Sequence, residues 1–187
     1  PEMKLTSVAA VEKQIDDTFR PVSQPVPGWS AELECTFEKA AAETANIVGI
    51  LEGAGPLAQE TIVLGAHYDH IGRGEFGSRK PDAREIHNGA DDNATGTAAV
   101  LELARRMTAR GQPPARRLVF LAFSGEERGL VGSKFYVDHP LFPLADTVAM
   151  LNFDMIGRLR NDELTVFGAR SAKEFEGFWT GRAARPG

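Results

Sequence analysis

Four short clusters of acidic and imidazole side chains follow one another along the chain: Gly65-Ala66-His67-Tyr68-Asp69-His70, Gly89-Ala90-Asp91-Asp92-Asn93, Ser124-Gly125-Glu126-Glu127 and Leu151-Asn152-Phe153-Asp154. Hard carboxylate oxygens combined with an imidazole suit a divalent cation. Several carboxylates gathered in one crevice also need positive charge beside them to stay ionised. Each cluster closes an apolar run or directly follows one, which is where an open α/β sheet collects its ligand site. The pattern points to a metal-dependent hydrolase.

Taken singly, the clusters allow plainer readings. Residues two apart at a strand end share a side, so His67 and Asp69 can face the same way. A ligating imidazole is commonly held by a carboxylate on its second ring nitrogen, and Asp69 is placed to be that carboxylate. Asp91 and Asp92 precede a helical stretch, where an aspartate is also an ordinary N-cap. Glu126-Glu127 could be a solvated turn and Asp154 a capping residue. Four such clusters at four strand or loop boundaries favour a shared site. His70 is expected at the rim, His87 lies just upstream of the aspartate pair, and His139 before Pro140 reads as a surface helix end.

The elements that must position these groups are readable from apolar periodicity. Thr61–Ala66, Leu118–Phe123 and Val148–Phe153 read as buried strands, and Leu164–Phe167 as a further one. Ala94–Arg110 reads as a helix, with Asp92 or Asn93 available to cap it and Gly111-Gln112-Pro113-Pro114 to end it; Leu130–Val137 reads as a shorter helix. The alternating runs 31–37 and 45–51 read as an antiparallel pair. Residues 71–88 are a Gly- and charge-rich loop, and residues 1–28 an amphipathic turn or two followed by a Pro-rich connector. The expected fold is a three-layer α/β/α sandwich with a mixed β-sheet. The expected domains are a connector over 1–30, the end of a preceding domain, and a catalytic domain over 31–187.

Composition narrows the function classes. The chain has 187 residues, a dispersed net charge of -5 and a single cysteine, Cys35. This is a one-domain length. The charge offers no basic surface for nucleic acid, and the lone thiol no internal disulfide. No apolar run reaches the roughly 18 residues of a membrane span.

Together these motifs, with Gly-Thr-Ala-Ala after Asn93 and Glu-Glu-Arg-Gly-Leu-Val-Gly-Ser after Gly125, resemble the co-catalytic dizinc aminopeptidases of the M28 peptidase family over about Asn46 to Gly168. The resemblance implies that His67 and Asp154 bind one zinc, that Asp92 bridges two, that Glu127 binds the other and that Glu126 is the general base. It also implies a cis peptide between Asp92 and Asn93. The substrates would be peptide or protein N-termini, and the setting secreted or periplasmic.

The family's fifth ligand is a histidine well downstream of the Asp154 position, and no histidine follows Asp154 here. The expectation is therefore a zinc-exopeptidase-like domain lacking its C-terminal part, with the aminopeptidase activity belonging to the parent protein and the competence of this chain left open by the missing ligand. It would hold one or two zinc ions where a complete site holds two, with its truncated sheet open to oligomerisation. A zinc carboxypeptidase with a similar cage, a catalytically incomplete binding or structural fragment, and a one-zinc glutaminyl cyclase are the other readings.

Overall fold

The computed structural model describes residues 7–23, 28, 30, 32–37, 42–159, 161, 163–175 and 177. The chain forms two compact units, Pro1–Ala41 and Ala42–Gly187. In the first, helix α1 (Val8–Thr18) is capped by Ser7, whose Oγ accepts from the Ala10 N–H at 3.2 Å.

The second unit is built on four strands: β1 (Ile47–Leu51), β2 (Thr61–His67), β3 (Arg117–Phe123) and β4 (Thr147–Asn152). They lie in the order β1-β3-β2-β4. β2 runs parallel to both β3 and β4, with Thr61 opposite Arg117 and His67 opposite Phe123, and Gly65 opposite Asn152. β1 is antiparallel to β3, Ile47 opposite Ala122 and Leu51 opposite Leu118. The sheet is mixed, as expected.

Helices cover both faces. Against one face, helix α2 (Gly96–Ala109) supplies Val100, Leu103, Ala104 and Met107 to a cluster with Ala66, Leu118 and Phe120. Against the other, Tyr136 of helix α3 (Val131–Asp138) joins Val63, Val119, Leu121 and Phe123. Alternate residues of β2 and β3 thus point into separate cores, which is why both strands read as unbroken apolar runs. This gives the expected three layers.

Two expected elements differ. The run 45–51 is indeed a strand, but its partner is β3, and 32–37 carries no strand. The reason is that β3, buried along almost its whole length, needs a neighbour on each side, and β1 is the second one. Residues 164–167 also form no strand. An isolated bridge at Glu163 leads into a turn, and Leu164 and Phe167 stand exposed without a ladder partner among the described residues. The tail after Phe178 lies outside the described residues.

α2 starts where its backbone nearly touches the chain beyond β4. A Cβ on buried Gly96 would collide with the Phe153 carbonyl and the Asn93 amide group. Helix propensity alone favours alanine over glycine by about 0.8–1.0 kcal/mol. Overpacking typically costs about 1–3 kcal/mol, here against fixed polar groups. Gly96→Ala is therefore expected to lower the urea midpoint, and a stabilised variant would rule out this close approach.

Candidate metal centre

Parallel pairing brings the C-terminal ends of β2, β3 and β4 to one edge of the sheet. Backbone bonds extend the alignment past the strands: Tyr68 N–H donates to Phe123 O and Phe153 N–H to Gly65 O, both at 2.9 Å. All four clusters meet there.

His67, the last residue of β2, is only 3% exposed. Its Nδ1 lies 3.0 Å from the backbone carbonyl of Asp69. A carbonyl can only accept, so Nδ1 carries the proton of that contact. Nε2 faces Asp92 Oδ1 at 3.2 Å and Asp154 Oδ1 at 3.6 Å. The Asp69 carboxylate, expected as the imidazole partner, instead sits 3.8 Å from Nδ1. That carboxylate accepts from the Glu126 and Glu127 N–H groups, at 3.2 and 3.4 Å. Asp69 thus braces the imidazole with its main chain and the glutamate turn with its side chain.

The Asp91-Asp92-Asn93 segment divides its tasks sharply. The chain enters through Gly89 at φ 61° and crosses a cis Asp92–Asn93 peptide, as the resemblance implies. Asn93, 2% exposed, donates through Nδ2 to Phe153 O at 2.9 Å. Its Oδ1 accepts from Gly96 N–H at 3.0 Å, so Asn93 rather than Asp92 caps α2. Asp91 accepts from Gly157 N–H at 2.9 Å and pairs with Arg158 Nε at 3.2 Å. With both neighbours committed to structure, the Asp92 carboxylate is left facing His67.

Gly125, at φ 68°, turns the chain after β3. The turn is held from below by Asp69 and leads into α3 through a Gly132 N–H bond to Ser124 O of 2.7 Å. Glu127 Oε1 lies 2.7 Å from His70 Nδ1. His70, expected at the rim, has its ring turned inward. Burial pushes the Glu126 carboxyl above the usual carboxylate range; neighbouring Glu127, Asp154 and Asp92 add to the rise, and His67 opposes it.

Two donor groups emerge among the described residues: His67, Asp92 and Asp154, and His70, Asp92 and Glu127. Within each, the candidate ligand atoms lie within 4.8 Å of one another. Asp92 belongs to both. Imidazole nitrogens with carboxylate oxygens are a donor set that fits a divalent transition metal, and the crowding of acids around Glu126 is the charge problem that cations relieve. All four expected ligands, His67, Asp92, Glu127 and Asp154, are in these groups; Glu126 lies near enough to feel the charges of all four, and Asp69 binds the Glu126 and Glu127 amides. His87 and His139 are in neither; His139 ends α3 and stacks on Phe135. The anchoring roles of Asp91 and Asn93 depend on partners some sixty residues away, and left no local signal. The inward turn of His70 had one signal, its spacing three residues from His67.

Residues 46–186 match Peptidase family M28. The chain is 34% identical over 131 residues to leupeptin-inactivating enzyme 1 of Streptomyces exfoliatus, covering 70% of this chain and 26% of that protein. It is 33% identical over 113 residues to aminopeptidase YwaD of Bacillus subtilis, covering 60% and 22% respectively. Among solved structures it resembles a zinc aminopeptidase from Bacillus subtilis, with a TM-score of 0.57, 27% identity and coverage of 75% of this chain and 33% of that one. The chain thus spans about a quarter of the length of the curated relatives it matches. With the family profile matched across most of the chain and the clusters meeting at one sheet edge, the chain belongs to peptidase family M28.

Proposed function

We propose that this chain carries the zinc-binding and proton-transfer groups of an aminopeptidase that hydrolyses peptide bonds at the N-termini of peptides. The observation that carries the proposal is the membership of Asp92 in both donor groups, with Glu126 among them. His67, Asp92 and Asp154 would hold one zinc, and Asp92 with Glu127 would hold a second. The metals, when bound, polarise the scissile carbonyl and lower the pKa of a water. The similarity to enzymes described as zinc aminopeptidases supports both the metal and the N-terminal preference.

Glu126 is the general base. It takes a proton from the attacking water and delivers it to the leaving amine, and both steps favour a carboxyl whose pKa is raised toward the working pH. Burial is the largest cause of its rise. Cations neutralise the repulsion from Asp92, Glu127 and Asp154 but leave the burial in place. The Asp69 carboxylate, bonded to the Glu126 and Glu127 amides, holds the base in register with the ligands.

The zinc-loaded chain should release the chromophore from aminoacyl-p-nitroanilides and leave N-acetylated counterparts intact. Glu126→Gln should keep its zinc and lose about 10²–10⁴-fold in turnover; a variant with ordinary turnover would remove Glu126 as the base. Failure of the wild type to discriminate free from blocked N-termini would count against aminopeptidase activity.

Asp92→Ala should reduce bound zinc from two ions to none, because the carboxylate it removes serves both positions. Full occupancy in that variant, measured by elemental analysis after dialysis, would refute the bridge.

The metal-free protein gives an independent check. Because the folded pKa of Glu126 is raised, its stabilising contribution is present below the unfolded pKa and is lost as pH rises through the folded value. Metal-free Glu126→Gln should therefore melt above the metal-free wild type at pH 8, and the gap should close near pH 4. A gap that widens on acidification would have the wrong sign.

A further inference from the structure

We propose that the cavity in the loop 71–88 binds a carboxylate carried by the leaving part of a substrate peptide. The inference rests on the aminopeptidase reading for the peptide, while the cavity itself lies outside both donor groups.

The loop is built as an open cup. His87 N–H donates to Gly72 O at 2.8 Å and Gly74 N–H to Ile71 O at 2.9 Å, which ties its two ends together. Gly74 is buried at φ 71°, and a Cβ there would stand 2.6 Å from His87 Nε2 and 2.7 Å from Ser78 Cβ. Three stretches of the loop thus converge on a point that only glycine can occupy. Ile71, Ser78, Arg79, Lys80, Glu85 and His87 line the resulting cavity of about 350 Å³.

The lining suits an anion. Arg79 and Lys80 form no ion pair among the described residues. Ser78 Oγ accepts from the Lys80 N–H at 3.0 Å and keeps its own proton to donate. The half-buried His87 ring has no hydrogen-bond partner among the described residues, and an imidazole offers an N–H in either protonation state. A carboxylate accepts from several donors at once, and its bonds to charged donors are the strong ones. Glu85 is the one acid in the lining and pairs with neither cation, so their charge is left for a ligand.

Location makes that ligand part of a substrate. The His87 ring meets His70 edge-on, with 6.4 Å between centroids, and His70 Nδ1 lies 2.7 Å from Glu127 Oε1. Arg128 lies over the Phe76 ring at 4.9 Å, which fastens the loop to the glutamate turn. The cup therefore stands one ring beyond the candidate metal centre. An extended peptide advances about 3.3–3.6 Å per residue, so one cleaved at its first bond reaches the cup within roughly two or three residues. The carboxylate is then the C-terminus of a very short peptide or an acidic side chain in a longer one.

The competing occupant is a cationic side chain held by Glu85. The two readings differ in sign: neutralising Glu85 strengthens binding of an anion and weakens binding of a cation.

The experiment compares trialanine with its C-terminal amide. Binding is measured by NMR titration of the zinc-loaded Glu126→Gln chain, and kcat/KM with the zinc-loaded wild type. The acid should bind roughly tenfold more tightly than the amide, the worth of one charge-assisted hydrogen bond. That advantage should vanish when Arg79→Gln and Lys80→Gln are combined, and grow in Glu85→Gln. A second pair, the amides of alanyl-aspartyl-alanine and alanyl-asparaginyl-alanine, locates the group. A preference for aspartate that the double variant abolishes assigns the carboxylate to a side chain; a preference confined to free trialanine assigns it to the chain end. Equal binding within both pairs would overturn the proposal. So would a preference that survives the double variant, which would put the carboxylate on the metals, or a Glu85→Gln variant that binds the acid less well. Peptides bound with the expected preferences yet left intact by the wild type would sink the aminopeptidase reading and leave the carboxylate pocket standing.

Discussion

The parallel pairing of β2 with both β3 and β4 is the constraint on which the site depends. Parallel neighbours end at the same edge, so His67, the Glu126-Glu127 turn and Asp154 arrive together although up to 87 positions separate them in sequence. An antiparallel β3 would send its glutamates to the opposite edge. The two cores enforce the arrangement: β2 and β3 are buried on both faces, and a one-residue slip would exchange the side chains facing α2 with those facing α3. The one antiparallel strand, β1, lies outermost beside β3, where its direction leaves the three cluster-bearing ends undisturbed.

Convergence creates an electrostatic problem that packing alone does not solve. Asp92, Asp154 and Glu127 all act to raise the pKa of Glu126, which burial already raises. A fold that drives acids together in this way loses stability on their ionisation unless cations accompany them. The same crowding that makes the metal-free cluster unfavourable would strengthen one that holds cations. His67 places its Nδ1 against the Asp69 carbonyl, which leaves Nε2 as the atom that faces Asp92 and Asp154.

Much of this was legible in the sequence because the strands carrying the site are almost wholly buried, and an unbroken apolar run as short as 118–123 fits best between two covered faces of a sheet. The chemistry at strand ends was legible for a related reason, since His67, Glu126-Glu127 and Asp154 each interrupt or follow such a run abruptly. Weaker patterns misled. The alternation over 31–37 resembles a strand, but alternation says nothing about which neighbour is available, and β3 took 45–51 instead. Residues 164–167 are apolar enough for a strand yet have no ladder partner among the described residues. Side-chain direction was the least legible property: His67 and Asp69 do share a side, but that spacing could not reveal that a carbonyl would hold the imidazole while the carboxylate turned to two amides.

Adjacent acidic pairs look redundant in sequence, and the structure gives their members different work. Asp91 is tied to Gly157 and Arg158 and fixes the loop after β4. Asp92, one peptide on, faces His67. Asn93 closes the arrangement from the other side by binding Phe153 O and the start of α2. An ionised carboxylate held at the junction of two donor groups needs rigid neighbours, because its charge alone would drive it toward solvent and away from Glu127 and Asp154. The pair at 126 and 127 follows the same logic: one Asp69 carboxylate bonds both backbone amides, so their two side chains are presented from a single fixed turn. In this chain the residues beside the candidate ligands, more than the ligands themselves, determine whether the cluster is a site or a set of solvated acids.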